Sequence, residues 1–251
     1  NMQFKTSLKL IATKHRFVFL GFFMLALFCS QLQWLSHASI ASQSNAFYAD
    51  QYTQGWMTID LLALVYMVVF LLLSFPASYV IDTFGAKKSL VFGTGLMLVA
   101  SIFKAVFFNS FIFILIAQIG LAVAQPFINA ITSITMHHFK INERVICAGL
   151  AIFAQYVGML GALMFAPIFI STQFSGLVSL LWVYAGISFV VFLGVILSFP
   201  KIDQQFSSVL HDRLSFMAGL KLFVTSKDML ILLILFTIGL GLINAITSLI
   251  D

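Results

Sequence analysis

The stretch from residue 74 to residue 88, SFPASYVIDTFGAKK, decides how this chain folds. An apolar helix ends at Asp82, Gly85 follows in a turn, and Lys87 and Lys88 precede the next apolar run. Glycine has no Cβ and therefore permits a positive φ in a tight turn. The carboxylate of Asp82 suits the N-terminus of a neighbouring helix. The stretch predicts a short, charged connection between two long apolar helices.

The composition of the whole chain indicates where these helices lie. Hydrophobic residues make up 61% of the 251 residues, charged residues make up 8%, and the mean hydropathy is +1.08. A soluble domain is roughly 45–50% apolar and about 25% charged. About 20 apolar residues span a bilayer, and strict alternation, the mark of a barrel strand, is lacking. We predict an all-α integral membrane protein with seven spans, at 17–43, 57–81, 89–108, 111–136, 145–170, 176–199 and 229–250.

The basic residues are distributed unevenly along the chain. Of the 13 Lys and Arg residues, 12 lie before the first span or in the 2–3, 4–5 and 6–7 connections, and Lys104 is the exception. This pattern follows the positive-inside rule. It predicts a cytoplasmic N-terminus in a plasma or inner membrane. The net charge of +5 is then explained by topology, and we predict no nucleic-acid partner.

The order of the spans divides the chain into three parts. Residues 1–199 form a six-helix N-terminal half, residues 200–228 form a polar cytoplasmic linker with an amphipathic helix, and residues 229–251 begin a second half with helix 7. Two six-helix halves built from inverted three-helix repeats are typical of secondary transporters. We therefore expect the chain to be part of a twelve-helix bundle.

Two connections resemble those of the major facilitator superfamily. The opening stretch is similar to the loop G-x-x-x-D-R-x-G-R-[RK] between helices 2 and 3, from which Ser78 and Thr83 depart. The segment that begins with Glu143 and Arg144 is similar to the E-R-x-x-A element at the start of helix 5. The resemblance implies the major facilitator fold, and we expect Arg144 to pair with Asp82. The predicted cytoplasmic gate consists of Asp82, Gly85, Lys87, Lys88, Glu143 and Arg144.

The sequence contains no motif for covalent chemistry. The nucleotide-binding pattern G-x-x-x-x-G-K-[ST] is missing. The adjacent His137 and His138 point to different sides of a helix, and Gly93 and Gly95 fit small-residue packing inside helix 3. We predict that the chain is not an enzyme and has no catalytic residue, metal site or cofactor.

Neutral polar residues form stripes on two helices. They are Ser30, Gln33, Trp34, His37 and Ser44 in the first span, and Gln118, Gln125, Asn129 and Ser133 in the fourth. Because polar groups are costly in lipid, we expect both stripes to face a central cavity. Pro126 should kink the fourth span, and Gly158 and Gly161 should let another helix approach the fifth.

A narrower resemblance suggests what the cavity binds. The segments Gln33–Trp34, Asp60–Met67, Phe75–Gly85 and Gln155–Gly158 are together similar to the feline leukaemia virus subgroup C receptor family. That family includes choline and ethanolamine carriers and was first discussed as haem exporters. The resemblance implies substrate contacts from the tryptophan of Q-W, the methionine of V-Y-M and the glutamine of helix 5. The predicted substrate-binding residues are Trp34, Gln155, Met67, Gln33 and Asn244, the last where the family has an aromatic residue.

The chemistry of these residues fits a quaternary ammonium ion. An indole face attracts such a weakly hydrated cation by roughly 0.5–2 kcal/mol without a carboxylate. Asp60 and Lys104 lie near helix ends, so this half of the bundle gives little support to a proton relay. We expect a monomeric carrier in the lipid bilayer that moves a small organic solute, such as choline, by alternating access and facilitated transport. Coupling through the other half, an amino-acid or other nutrient substrate, haem or iron-chelate export with His37 as axial ligand, and a non-transporting receptor stay open.

Overall fold

A computed structural model of the chain describes residues 2–52, 57–170, 176–198 and 225–249, and it gives the backbone alone at 2–15, 137, 233, 236, 240 and 243–249. These ranges form two compact units. The first unit contains helices α1 to α8, and the second contains α9. The helices are α1 (Met2–Trp34), α2 (Ala41–Tyr48), α3 (Asp60–Phe84), α4 (Ala86–Val106), α5 (Phe111–Ile128), α6 (Ile131–His138), α7 (Ile141–Ile170), α8 (Gly176–Ser198) and α9 (Lys227–Leu249).

Among the described residues, six stretches of the first unit are long and apolar enough to cross a membrane. They are Arg16–Trp34, Asp60–Phe84, Ala86–Val106, Phe111–Met136, Ile141–Ile170 and Gly176–Ser198. The sequence prediction of an all-α membrane protein with a six-helix half is confirmed. The predicted linker at 200–228 lies largely outside the described residues. The predicted seventh span coincides with α9, whose passage through a membrane stays a prediction.

The first span ends nine residues earlier than the predicted boundary at residue 43. Helix α1 stops at Trp34, and a single 3₁₀ turn, Ala38–Ile40, leads into α2. The hydroxyl of Ser36 donates to the carbonyl of Gln33 at 2.9 Å, and that of Ser39 donates to the carbonyl of Leu35 at 3.3 Å. Serine side chains compete in this way with the backbone for helix carbonyls. The polar residues after Trp34 therefore favour a turn over a continued helix.

The fourth span is interrupted between Ile128 and Ile131, and the predicted kink at Pro126 itself, which lies inside α5, stays a prediction. Helix α5 ends at Ile128, and α6 begins at Ile131. The interruption places Asn129 between two helical segments.

Gly85 joins α3 to α4 by itself and has the positive φ that the sequence predicts. Its φ is 89° and its ψ is 150°. Its N–H donates to the carbonyl of Ile81 at 2.9 Å, and its carbonyl accepts from the N–H of Ser89 at 3.3 Å. One residue therefore ends one span and starts the next.

Replacing Gly85 with alanine should lower the free energy of unfolding by about 1–3 kcal/mol, because a side chain is strained at this φ and ψ. A Cβ at this position would meet nothing within 4 Å, so the cost is conformational. Gly186→Ala is the control, since that helical glycine also has open space around it. Thermal unfolding in detergent should separate the two variants, and an equal shift in both would contradict the backbone explanation.

Small residues let the helices of the first unit approach each other closely. A Cβ on Gly158 of α7 would lie 2.5 Å from the carbonyl oxygen of Phe28 in α1, and one on Gly161 would lie 3.1 Å from Leu32. A Cβ on Gly93 of α4 would lie 3.1 Å from the carbonyl oxygen of Ala124 in α5. The predicted close approaches at these glycines are confirmed.

Candidate solute site

The C-terminal end of α1 carries a buried aromatic pair. Trp34 stacks on Tyr66 of α3 with ring centroids 5.3 Å apart and an interplanar angle of 15°. The indole N–H donates to the carbonyl of Ala63 at 3.4 Å. Both rings are buried within the six-helix unit. Tyr66 therefore covers one face of the indole, and the pair fixes α1 against α3.

Gln33 occupies a hydrogen-bond network between three helices. Its Nε2 donates to the hydroxyl of Ser188 on α8 at 2.9 Å and to the sulfur of Cys29 at 3.2 Å. Its Oε1 accepts from the hydroxyl of Ser101 on α4. Both ends of the amide are thus engaged within the unit, and a role of Gln33 in binding a solute stays a prediction.

Gln155 and Asn129 bring polar atoms together at the break in the fourth span. Nε2 of Gln155 donates to Oδ1 of Asn129 at 3.3 Å, and both residues are only partly buried. Met67 follows Tyr66 on α3 and is 36% exposed. The side chain of Asn244 lies outside the described residues. Three of the five predicted substrate residues, Trp34, Gln33 and Gln155, thus have hydrogen-bond partners within the first unit. The side chain of Met67 is exposed.

Sequence reasoning missed the buried lysine of α4. Lys104 is 2% exposed, although its place near a helix end suggested an interfacial position. Its Nζ donates to Oε1 of Gln118 at 2.9 Å, to Oγ of Ser36 at 3.0 Å and to the carbonyl of Gln33 at 3.4 Å. The signal was present in the charge distribution, because Lys104 is the basic residue that departs from the positive-inside pattern.

His37 lies beside this lysine and is also buried. Its Nδ1 is 3.1 Å from the hydroxyl oxygen of Ser36, whose proton is already donated to the carbonyl of Gln33. Nε2 of His37 has no hydrogen-bond partner in the described part of the chain. Burial, and secondarily the charge of Lys104, hold the pKa of His37 well below its ordinary value.

The predicted gate residues cluster at the two connections where the sequence places them. Asp82, Lys87 and Lys88 are exposed around the Gly85 turn. Oε2 of Glu143 accepts from the backbone N–H of Lys140 at 3.3 Å at the start of α7, a position that favours a carboxylate. Nε of Arg144 donates to the carbonyl of Phe139 at 3.2 Å. A pair between Arg144 and Asp82, and the gating role itself, stay predictions.

The described residues contain no group of three His, Cys, Asp or Glu side chains that could hold a metal ion. The described part of the unit has a polar interior of amides, hydroxyls and the buried side chain of Lys104 between apolar helices. Six apolar spans around such an interior define a multi-pass helical membrane protein.

Comparison with known proteins identifies the family of the chain. The profile of the Major Facilitator Superfamily matches residues 18–250, which is most of the chain. The chain belongs to the Major Facilitator Superfamily. It is a transporter-family protein related to the feline leukaemia virus subgroup C receptor family, as its motifs predicted.

Individual relatives support this placement. The chain is 22% identical to Solute carrier family 49 member A3 of Xenopus tropicalis over 253 residues, 95% of this chain and 52% of the relative. It is 34% identical to the Choline/ethanolamine transporter FLVCR1 of Mus musculus over 120 residues, 47% of this chain and 21% of the relative. It is 21% identical to the Choline/ethanolamine transporter FLVCR2 of Rattus norvegicus over 240 residues, 89% of this chain and 43% of the relative. The chain spans about half the length of the first of these relatives and less of the other two.

Proposed function

We propose that this chain supplies the N-terminal half and helix 7 of a carrier that moves choline or a related amine by alternating access. The observation that carries the proposal is the buried stack of Trp34 on Tyr66 at the end of α1. A second aromatic ring holds the indole in one orientation. A solute cation would meet the indole face turned away from Tyr66.

The polar groups of the spans fit a cation that needs no carboxylate. In the six spans the carboxylates are Asp60, Asp82 and Glu143, and each lies in the first or last turn of its helix. A quaternary ammonium spreads its charge over methyl groups, and an aromatic face attracts it by roughly 0.5–2 kcal/mol. Gln155, held by Asn129 and partly accessible, is suited to hydrogen-bond the hydroxyl of such a solute. Met67 would add an apolar contact from α3.

Two further considerations support a uniporter for an amine. FLVCR1 of Mus musculus and FLVCR2 of Rattus norvegicus, both similar to this chain, are named choline/ethanolamine transporters. A cation that moves into a cell gains roughly 2.3 kcal/mol per 100 mV of membrane potential, so uptake can be concentrative without a proton.

The positive-inside pattern would place the N-terminus in the cytoplasm. We propose a monomer with the gate around Gly85 on that side.

Replacing Trp34 with alanine should raise the KM for choline uptake about tenfold, the equivalent of a cation–π contact of about 1.4 kcal/mol. The measurement is uptake of radiolabelled choline into liposomes that contain the full-length carrier. Trp182→Ala is the matched control, because Trp182 lies on α8 and is half exposed. That variant should keep the KM of the unchanged protein.

Competition by unlabelled solutes tests the substrate class. Choline and ethanolamine should inhibit uptake, and amino acids should not. No saturable choline uptake by the unchanged protein would refute the proposal. Inhibition by amino acids alone would favour a nutrient carrier of the same fold.

A further inference from the structure

Lys104 is an uncommon residue for the interior of a membrane bundle. Its ammonium group is buried between α4, α1 and α5, and it donates three hydrogen bonds, to Gln118, Ser36 and the carbonyl of Gln33. None of these acceptors is a carboxylate. Buried ionisable groups are expensive in a membrane and usually mark function. A charged lysine at this position therefore requires compensation from a source other than a carboxylate.

The end of α1 provides that compensation. Helix α1 stops at Trp34, so its last carbonyls do not all receive the backbone N–H bonds that a further helical turn would supply. The C-terminus of a helix carries the equivalent of about half a negative charge, which attracts a cation. Nζ of Lys104 contacts the carbonyl of Gln33 at this terminus, at 3.4 Å. Lys104 thus caps α1 from a neighbouring helix.

A second contact connects the lysine to Trp34 itself. Gln118 accepts from Lys104 through Oε1 and donates through Nε2 to the carbonyl of Trp34 at 3.0 Å. Lysine is a donor only, so it fixes which end of the amide faces it. The other end of the same amide must then present its N–H groups to Trp34. Both terminal carbonyls of α1, at Gln33 and Trp34, are therefore held by Lys104 directly or through one glutamine.

We propose that Lys104 is a positioning residue for Trp34, and that it sets solute affinity by fixing the end of α1. The inference rests on the proposed function for its transport readout, because it assumes that Trp34 contacts the solute. Lys104 would not touch the solute, since its three donors are already used. It would orient the backbone from which the indole projects.

The first experiment compares three lysine variants of the full-length carrier in liposomes. Lys104→Met keeps the length of the side chain and removes both charge and donors. It should raise the KM for choline about tenfold, as expected when a contact of about 1.4 kcal/mol is lost, with the maximal rate per folded carrier within about twofold of the unchanged protein. Lys104→Arg should keep the KM within about threefold, because the guanidinium also donates to several acceptors. Lys140→Met, at an exposed lysine, should change neither quantity.

The outcome separates positioning from a merely structural role. If Lys104 only stabilises the fold, Lys104→Met lowers the amount of folded carrier and leaves the KM unchanged, which would overturn the inference. A raised KM in both Lys104→Met and Lys104→Arg would also overturn it, because the conservative variant keeps the capping donors.

The second experiment does not depend on the identity of the solute. In a carrier whose other tryptophans are replaced by phenylalanine, Lys104→Met should shift the fluorescence of Trp34 to longer wavelength and increase its quenching by acrylamide, whereas Lys104→Arg should not. Unchanged emission in Lys104→Met would refute the positioning role. If the unchanged protein takes up no choline but the emission still shifts, the proposed function fails and the positioning role stands.

Discussion

Replacing Gly158 with alanine should destabilise the protein by about 3 kcal/mol, the upper part of the range for overpacking a close interior contact. The new Cβ would lie 2.5 Å from the carbonyl oxygen of Phe28, 3.0 Å from its Cα and 3.0 Å from Cβ of Gln31. Two of these atoms belong to the backbone of α1, so no side-chain rotation can relieve the clash. Helices α1 and α7 must move apart, and thermal or denaturant unfolding in detergent measures the cost.

Gly149→Ala provides the control on the same helix. A Cβ there meets nothing within 4 Å, and alanine favours a helix over glycine by about 1 kcal/mol. The control should therefore be neutral or slightly more stable. Equal destabilisation of Gly149→Ala and Gly158→Ala would show that the cost comes from the helix itself rather than from its contact with α1.

The sequence was sufficient to predict the spans and the turn at Gly85, because these depend on local features. Length and hydropathy mark a membrane helix within its own segment, and a glycine in a short turn needs no distant partner. The prediction failed at the end of the first span, where helix α1 stops at Trp34 rather than continuing to residue 43. A hydropathy profile does not show that the hydroxyls of Ser36 and Ser39 donate hydrogen bonds to the carbonyls of the preceding turn.

The roles of the polar residues were harder to predict, because their partners are distant in the sequence. Helical spacing placed Gln33 and Gln118 on polar stripes. It could not show that Gln33 forms hydrogen bonds with Ser101 and Ser188. Nor could it show that Gln118 connects Lys104 to the carbonyl of Trp34. These contacts depend on how α1 packs against α4, α5 and α8. A polar stripe in a membrane helix can face a solute or a neighbouring helix, and periodicity does not distinguish the two.

Replacing Gln33 with methionine should lower the free energy of unfolding by about 2–3 kcal/mol. Methionine has a similar length and fills the space, but it loses the bonds to Ser188, Cys29 and Ser101. A hydrogen bond contributes about 1 kcal/mol of net stability, and three are lost together. Unfolding in detergent measures the change in stability, and choline uptake on the same preparation measures the KM.

Gln31→Met is the matched control for Gln33→Met, two residues away on the same helix. Gln31 is also buried, but its Oε1 has no hydrogen-bond partner in the described part of the chain. Removing an unsatisfied buried acceptor is neutral or slightly stabilising, so this variant should unfold at or above the temperature of the unchanged protein. A solute contact at Gln33 would give the opposite pattern, with unchanged stability and a raised KM. Because both ends of its amide are bonded inside the unit, we expect the loss of stability to dominate and Gln33 to act by holding α1, α4 and α8 together around Trp34.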